Sequence, residues 1–226
     1  MQETDKALEL RYYVAPTRQN LSVFEVWETG GNVGDSITPA TYWPQYRNWI
    51  RGLVEELLDR DTSRRILSVG CGNAFVEGEL CSSGYRVLGL DIHELAVSFA
   101  RQKGVDAHMQ DFDKWEPPTE QFDLAYCDGI FGHLYREATG LGNVLLKLSR
   151  SLVHRGWILI SNDASHSTLP VQKHPTVPGF HWFSPDYVEQ QLLQHGFGDI
   201  CTRSYEYDRP ESGPRTRLVV TAQKRT

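Results

Sequence analysis

Gly70, Cys71 and Gly72 follow the apolar run Ile66-Leu67-Ser68-Val69 and lead into a helical pattern from Phe75. A strand that turns on glycines into a helix brings bare backbone close to a ligand at a helix N-terminus. The bland reading of the same residues is a tight turn. Asp91 closes the next apolar run, about twenty residues on, the spacing at which an acid accepts hydrogen bonds from a ribose diol. It also reads as a cap for the helix beginning near Glu94. Asp111 and Phe112 follow a third run, where an acid can accept from an amino group and a phenyl ring can lie against a flat heterocycle. A turn acid beside a core aromatic is the alternative. Asp128 ends a fourth run. Phe75 stands where a dinucleotide fold needs a very small residue, and Glu77 adds negative charge where a pyrophosphate wants none. The loop therefore suits a nucleoside ligand without phosphates.

The elements that must position these groups are short apolar strands alternating with amphipathic helices. Runs at Ile66–Val69, Arg86–Leu90, Phe122–Cys127 and Trp157–Ile160, with a shorter one at Asp106–Met109, are separated by helical patterns near Phe75, Glu94, Gly142 and Ser184. That order predicts an α/β fold with a doubly wound, mostly parallel sheet. Right-handed crossovers then gather the strands' C-terminal ends, and their acids, on one rim. Phe197–Tyr207 and Arg217–Lys224, joined by turn residues 208–214, predict an antiparallel hairpin. Upstream, Tyr42, Tyr46, Trp49, Ile50, Leu53, Val54, Leu57 and Leu58 recur at helical spacing after Thr38-Pro39, a helix start. Residues 28–39 read as loop. So does the proline- and histidine-rich stretch 166–182, too irregular for core and long enough to be functional.

At 226 residues the chain is sized for one domain, with 1–62 as an N-terminal cap and helix and 63–226 as a core whose substrate loop lies around 163–184. The net charge of -6 argues against a nucleic-acid partner. No apolar run approaches the roughly 20 residues of a spanning helix, and the acidic start is unlike a secretory signal. Cys71, Cys81, Cys127 and Cys201 form no CxxC pair, which predicts reduced thiols and a cytoplasmic protein.

In this order and spacing the segments resemble a class I S-adenosylmethionine-dependent methyltransferase of the small-molecule type. ILSVGCGNA is similar to that family's first motif, GLDI to its second, MQDFDKW to the third-strand motif and FDLAYCD to the fourth. LLKLSRSLVHRGWILISND resembles the helix, turn and strand that follow, with Arg155-Gly156 in place of the usual glycine pair. The resemblance covers residues from about 64 to 159 well and the terminal hairpin more loosely. It implies a seven-stranded Rossmann-like sheet with the last strand antiparallel, and S-adenosyl-L-methionine as cofactor. It also implies that Gly70, Cys71 and Gly72 approach the methionine part and that Asp91 holds the ribose. Ile92 flanks the adenine, Asp111 with Phe112 contacts it, and Asp128 lies near the methionine amino group. Since relatives cover the cofactor with an N-terminal helix, Tyr46 or Arg47 reaches its carboxylate.

Methyl transfer from a sulfonium needs positioning and exclusion of water more than a catalytic constellation. His133, just past the fourth strand, is the candidate for proton transfer; packing of the next helix is its other reading. Asp163 and His166 follow the fifth strand on the same rim. With Tyr42, Trp43, His181 and Trp182 they form the expected wall for a small acceptor carrying nitrogen, oxygen or carbon as nucleophile, in specialised metabolism. His166, His174 and His181 lack metal-ligand spacing, and no metal is expected. Asp128 with Asn162-Asp163 leaves magnesium as a minor option. The rival functions are a dinucleotide-dependent oxidoreductase and a catalytically inert subunit that binds an adenosine ligand.

Overall fold

The computed structural model describes residues 8, 11–17 and 20–225. Near-continuous apolar strands make the centre of a seven-stranded sheet, order β3-β2-β1-β4-β5-β9-β8. Its strands are β1 (Arg65–Val69), β2 (Arg86–Asp91), β3 (Asp106–Met109), β4 (Phe122–Asp128), β5 (Leu152–Asp163), β8 (Phe197–Arg209) and β9 (Gly213–Lys224). The first five run parallel, and β9 pairs antiparallel with both β5 and β8. The expected terminal hairpin is therefore present. Its strands are longer than expected and take in Asp208, Arg209 and Gly213 to Thr216, because the ladder continues to Arg209↔Gly213.

Alternation along the buried strands splits the core in two. Ile66, Leu124, Tyr126, Leu159 and Val219 face α3 (Pro44–Leu57), α4 (Phe75–Ser82) and α5 (Glu94–Gln102). Leu67, Ala125, Cys127, Ile158 and Val220 face α7 (Gly142–Ser151) and α8 (Pro185–Gln194). Each helix presents one apolar stripe. On α3 it is Tyr46, Ile50, Leu53 and Val54, the three- and four-residue spacing seen in the sequence.

The N-terminal region departs from expectation twice. The helix after Thr38 is not continuous: α2 (Pro39–Tyr42) stops at Trp43, which is extended before Pro44 opens α3. Proline disfavours helical backbone in the residue before it, and it suits a first turn. The Thr38 hydroxyl, expected to cap N–H groups, instead meets Thr41 Oγ1 at 3.0 Å. Further upstream a short helix, α1 (Val23–Glu28), starts on a reciprocal cap in which Ser22 Oγ accepts from Glu25 N and Glu25 accepts from Ser22 N.

The segment 166–182, expected to lie outside any core, is partly ordered. β6 (Val171–Lys173) and β7 (His181–Phe183) pair as a two-stranded sheet, and Val177, Phe180 and Trp182 form a small cluster beneath it. A helical turn, α6 (Phe131–Leu134), follows β4.

Arg155, which takes the place of a glycine in the turn before the buried part of β5, has φ +59°. An L side chain in left-handed backbone costs about 1–2 kcal/mol, partly offset by the entropy glycine loses on folding. Arg155→Gly should leave the fold intact and raise stability by up to about 1 kcal/mol in urea unfolding. A clear loss of stability would show that the arginine side chain contributes more than its strained backbone costs.

Candidate active site

β1 ends in a turn whose residues Gly70 and Gly72 have φ +67° and +52°. A side chain at Gly70 would strike Ile130, since a Cβ there would lie 2.6 Å from Ile130 Cγ1. Gly70 N and Cys71 N both donate to Leu90 O, at 2.7 and 3.1 Å, which pins the turn to the end of β2. Asp91 completes the clasp. Its Oδ2 accepts from Gly72 N and its Oδ1 from His93 N, each at 2.9 Å. Burial raises the Asp91 carboxyl above the usual range despite these bonds from His93 and Gly72.

Gly70, Cys71, Gly72, Asp91, Ile92, Asp111, Phe112, Asp128 and His133 all line one cavity at the C-terminal rim of the sheet. The proposed cofactor residues are thus brought together, with one exception. Tyr46 is fully buried beside the cavity, and its hydroxyl meets Ser161 Oγ at 2.6 Å and Asp128 Oδ2 at 3.3 Å. It supports Asp128 rather than reaching a ligand. Arg47 is likewise committed elsewhere, donating to Glu79 at 2.9 Å and to the Ala40 carbonyl.

The residue types fit an adenosine-containing sulfonium. Backbone is exposed at Gly72, where a Cβ would meet nothing within 4 Å. Each Asp91 oxygen accepts one of these backbone bonds and has further acceptor capacity. Phe112, half of a tilted pair with Trp115, and Ile92 supply apolar surface.

The expected acceptor wall is corrected. Tyr42, Trp43, Asp163, His166, His181 and Trp182 are not on the cavity. The Tyr42 hydroxyl bonds to Gly31 O, and Trp43 packs edge-on to Tyr207. His181 packs on Tyr135, and His166 on Trp182. Asp163 is fully buried, pairing with Arg209, with Arg217 at 3.0 Å and, more distantly, with Arg215 at 3.7 Å. Burial works against its charge, but the three guanidiniums outweigh it and hold the carboxyl below the usual range. Arg217 also pairs with Asp128, so a guanidinium fills the space between the β4 and β5 acids that a magnesium ion would need. Among the described residues no group of three acids, histidines or cysteines is placed to hold a metal.

The outer wall comes instead from the cap. Tyr13, Phe24 and Trp27 line the cavity and pack on one another, with ring centroids 5.6–5.9 Å apart. Tyr13 OH lies 2.9 Å from His133 Nε2. The cap is moored at Asn73, whose amide donates to Phe24 O and Glu28, and by Lys103 to Glu28 at 2.5 Å. Sequence reasoning missed this roof. Its available signal was Ser22-x-x-Glu25 ahead of Val26-Trp27, a helix start with two aromatic residues.

Glu77, used above as an argument against phosphate, also lines the cavity and accepts from Ser68 Oγ at 2.6 Å. Burial pushes its carboxyl up to about 7, against an ordinary 4.5. The folded protein therefore keeps a proton that the unfolded chain releases above about pH 4.5, and this contribution to stability is lost as pH rises to about 7. Glu77→Gln should flatten that decline and be the more stable protein at pH 8, by up to about 3 kcal/mol. Parallel stability–pH curves for the two proteins would contradict the assignment.

Comparison with known proteins gives a consistent result. A family model described as a methyltransferase domain matches residues 66–156. A tabtoxin biosynthesis enzyme of Pseudomonas amygdali pv. tabaci is 36% identical over 217 residues, 93% of this chain and 85% of that protein. Among solved structures, the Burkholderia thailandensis 1,6-didemethyltoxoflavin-N1-methyltransferase, with its substrate and S-adenosylhomocysteine bound, has a TM-score of 0.64 at 21% identity. The match covers 80% of this chain and 78% of that one. A Methanosarcina mazei methyltransferase has a TM-score of 0.63 at 17% identity, covering 76% and 96%. With the glycine turn, the Asp91 clasp and the strand order, these similarities place the chain in the class I S-adenosylmethionine-dependent methyltransferases, with S-adenosylmethionine as its cofactor.

Proposed function

We propose that the protein transfers a methyl group from S-adenosylmethionine to a nitrogen, oxygen or carbon of a small molecule in specialised metabolism. The observation that carries this is Asp91, fixed by two backbone N–H groups at the floor of a cavity that also contains Asp111 and Phe112. When bound, S-adenosylmethionine supplies an electrophilic methyl group that an acceptor takes by in-line displacement. Asp91 would hold the ribose diol, and Asp111 with Ile92 and Phe112 would hold the adenine. The bare backbone of Gly70–Gly72 and the Asp128 carboxylate would hold the methionine part.

His133 takes the proton of a protonated acceptor, and Tyr13 orients its ring through the 2.9 Å contact. The aromatic roof excludes water. Because residues of the 1–62 cap close a cavity built by the 63–226 core, the two work as one domain. A tabtoxin-pathway relative and a toxoflavin N-methyltransferase fold neighbour both support a small, specialised acceptor. Free cysteines at 71, 81, 127 and 201 support a cytoplasmic setting, and among the described residues no helix is long and apolar enough to cross a membrane.

The dinucleotide alternative gains no support. Phe75 fills the third-glycine position, with Lys103 4.7 Å and Arg47 5.7 Å from its ring centre. Nothing favours an inert subunit either, because His133 lies on the wall of the cavity.

Asp91→Ala should weaken S-adenosylhomocysteine binding by roughly a hundredfold in calorimetry while the unfolding transition stays cooperative. Unchanged affinity would remove the ribose assignment. His133→Ala should bind S-adenosylhomocysteine as the parent does and, once an acceptor is in hand, turn over roughly a hundredfold more slowly. An unaffected rate would mean that His133 only packs.

A further inference from the structure

Asp111 and Phe112, the residues proposed for the adenine, stand on a segment that the sheet alone holds weakly. They follow β3, which is four residues long and lies at the edge of the sheet with β2 as its neighbour. Most of β3 is exposed, and Met109 at its end is 59% so. One further bond, from Gln110 N to Asp91 O at 2.7 Å, carries the chain to the cavity. There the backbone turns on itself. Lys114 N and Trp115 N donate to Asp111 O at 3.0 and 2.9 Å, and Asp113 N donates to Asp111 Oδ1 at 3.0 Å. The Asp111 carboxylate is thus aimed by the turn that it opens. Carbonyls at the far end of such a turn need donors from outside it.

Lys147 supplies those donors. It stands beside the buried stripe Val144, Leu145 and Leu148 of α7. Its Nζ donates to the carbonyl oxygens of Phe112, Asp113 and Trp115 at 3.0, 2.7 and 2.8 Å. An ammonium has three N–H donors and no acceptor, so three carbonyls match it one for one. The same Nζ lies 5.6 Å from the centre of the Phe112 ring. Arg136 ties the turn on another side, with Nη2 at 2.6 Å from Asp113 and Nη1 donating to the carbonyls of His133 and Tyr135. Both members of that ion pair are 42% exposed, so solvent screens it. Charge-assisted bonds to three backbone carbonyls make Lys147 the stronger anchor.

Resting on the adenine site proposed above, we infer that Lys147 is a positioning residue that gives the cofactor site its preference for an amino-bearing purine. By holding the carbonyls of Phe112, Asp113 and Trp115 it keeps the Asp111 carboxylate and the Phe112 ring at the cavity. A fixed carboxylate accepts from an amino group and repels a carbonyl at the same ring position. Once the turn is loosened, Asp111 can withdraw and the two bases bind alike.

Calorimetry on the full chain tests this without an acceptor, using S-adenosylhomocysteine and S-inosylhomocysteine, which carries oxygen in place of the amino group. The parent should bind the adenine ligand at least about tenfold more tightly. Lys147→Met removes the ammonium and should weaken S-adenosylhomocysteine roughly tenfold while barely changing S-inosylhomocysteine, so the ratio approaches one. Should Lys147→Met not fold, Lys147→Arg keeps the charge but spreads its donors over a planar fork, and should reduce the ratio several-fold. An unchanged ratio in the folded variant would overturn the proposal, whether both affinities fall together or neither moves, since Lys147 would then serve the fold alone. Asp111→Asn tests the reading underneath and should also level the ratio. If it does so while Lys147→Met keeps the parent's ratio, the adenine site stands and the Lys147 proposal falls. If Asp111→Asn keeps the parent's ratio, or the parent has no preference, the adenine assignment falls and the proposal with it.

Discussion

The hydrogen bond from Gly72 N to Asp91 is the constraint on which the cavity depends. It joins the turn after β1 to the end of β2, and only backbone with positive φ at Gly70 and Gly72 brings that N–H round to the carboxylate. The geometry is reciprocal. The carboxylate is buried and needs donors, and the turn has N–H groups that the sheet ladder cannot use. Because the second Asp91 oxygen is held by His93 N, the plane of the carboxylate is fixed before any ligand arrives. Binding then meets an acceptor already ordered, which lowers the entropy cost of association.

A second charge system lies at the same rim. Asp128, Asp163 and Arg217 tie the ends of β4 and β5 to β9, the strand at which the sheet changes direction. Tyr46 and Tyr126 both direct hydroxyls at Asp128, and burial holds those phenols protonated, as donors. The charges are therefore held in a framework of hydrogen bonds, and removing one member would leave a buried charge uncompensated.

The core of the fold was legible because its signals are local and periodic. Strand-length apolar runs, amphipathic stripes and acids at run ends placed β1 to β5 and the residues that line the cavity by position along the chain. What was not legible depends on which way side chains turn in three dimensions. Tyr42, Trp43, His181 and Trp182 sit at the expected end of the sheet but turn into packing of their own. Tyr46 carries the right chemistry, yet its place on the buried stripe of α3 points it at Ser161. Pro44 broke a helix whose hydrophobic period continues across it, so the period alone misled. Arg215 and Arg217 held a signal that went unread: two cations spaced by two residues in a strand face the same side.

Because β9 runs against its neighbours, its first residues, rather than its last, arrive at the functional end of the sheet. The cations it brings lie within a few residues of the exposed turn at Glu211 and Ser212, far along the chain from the glycine turn. Substitutions in that one surface hairpin can therefore reach Asp128 and the cavity through Arg217 while the glycine turn and Asp91 stay unchanged.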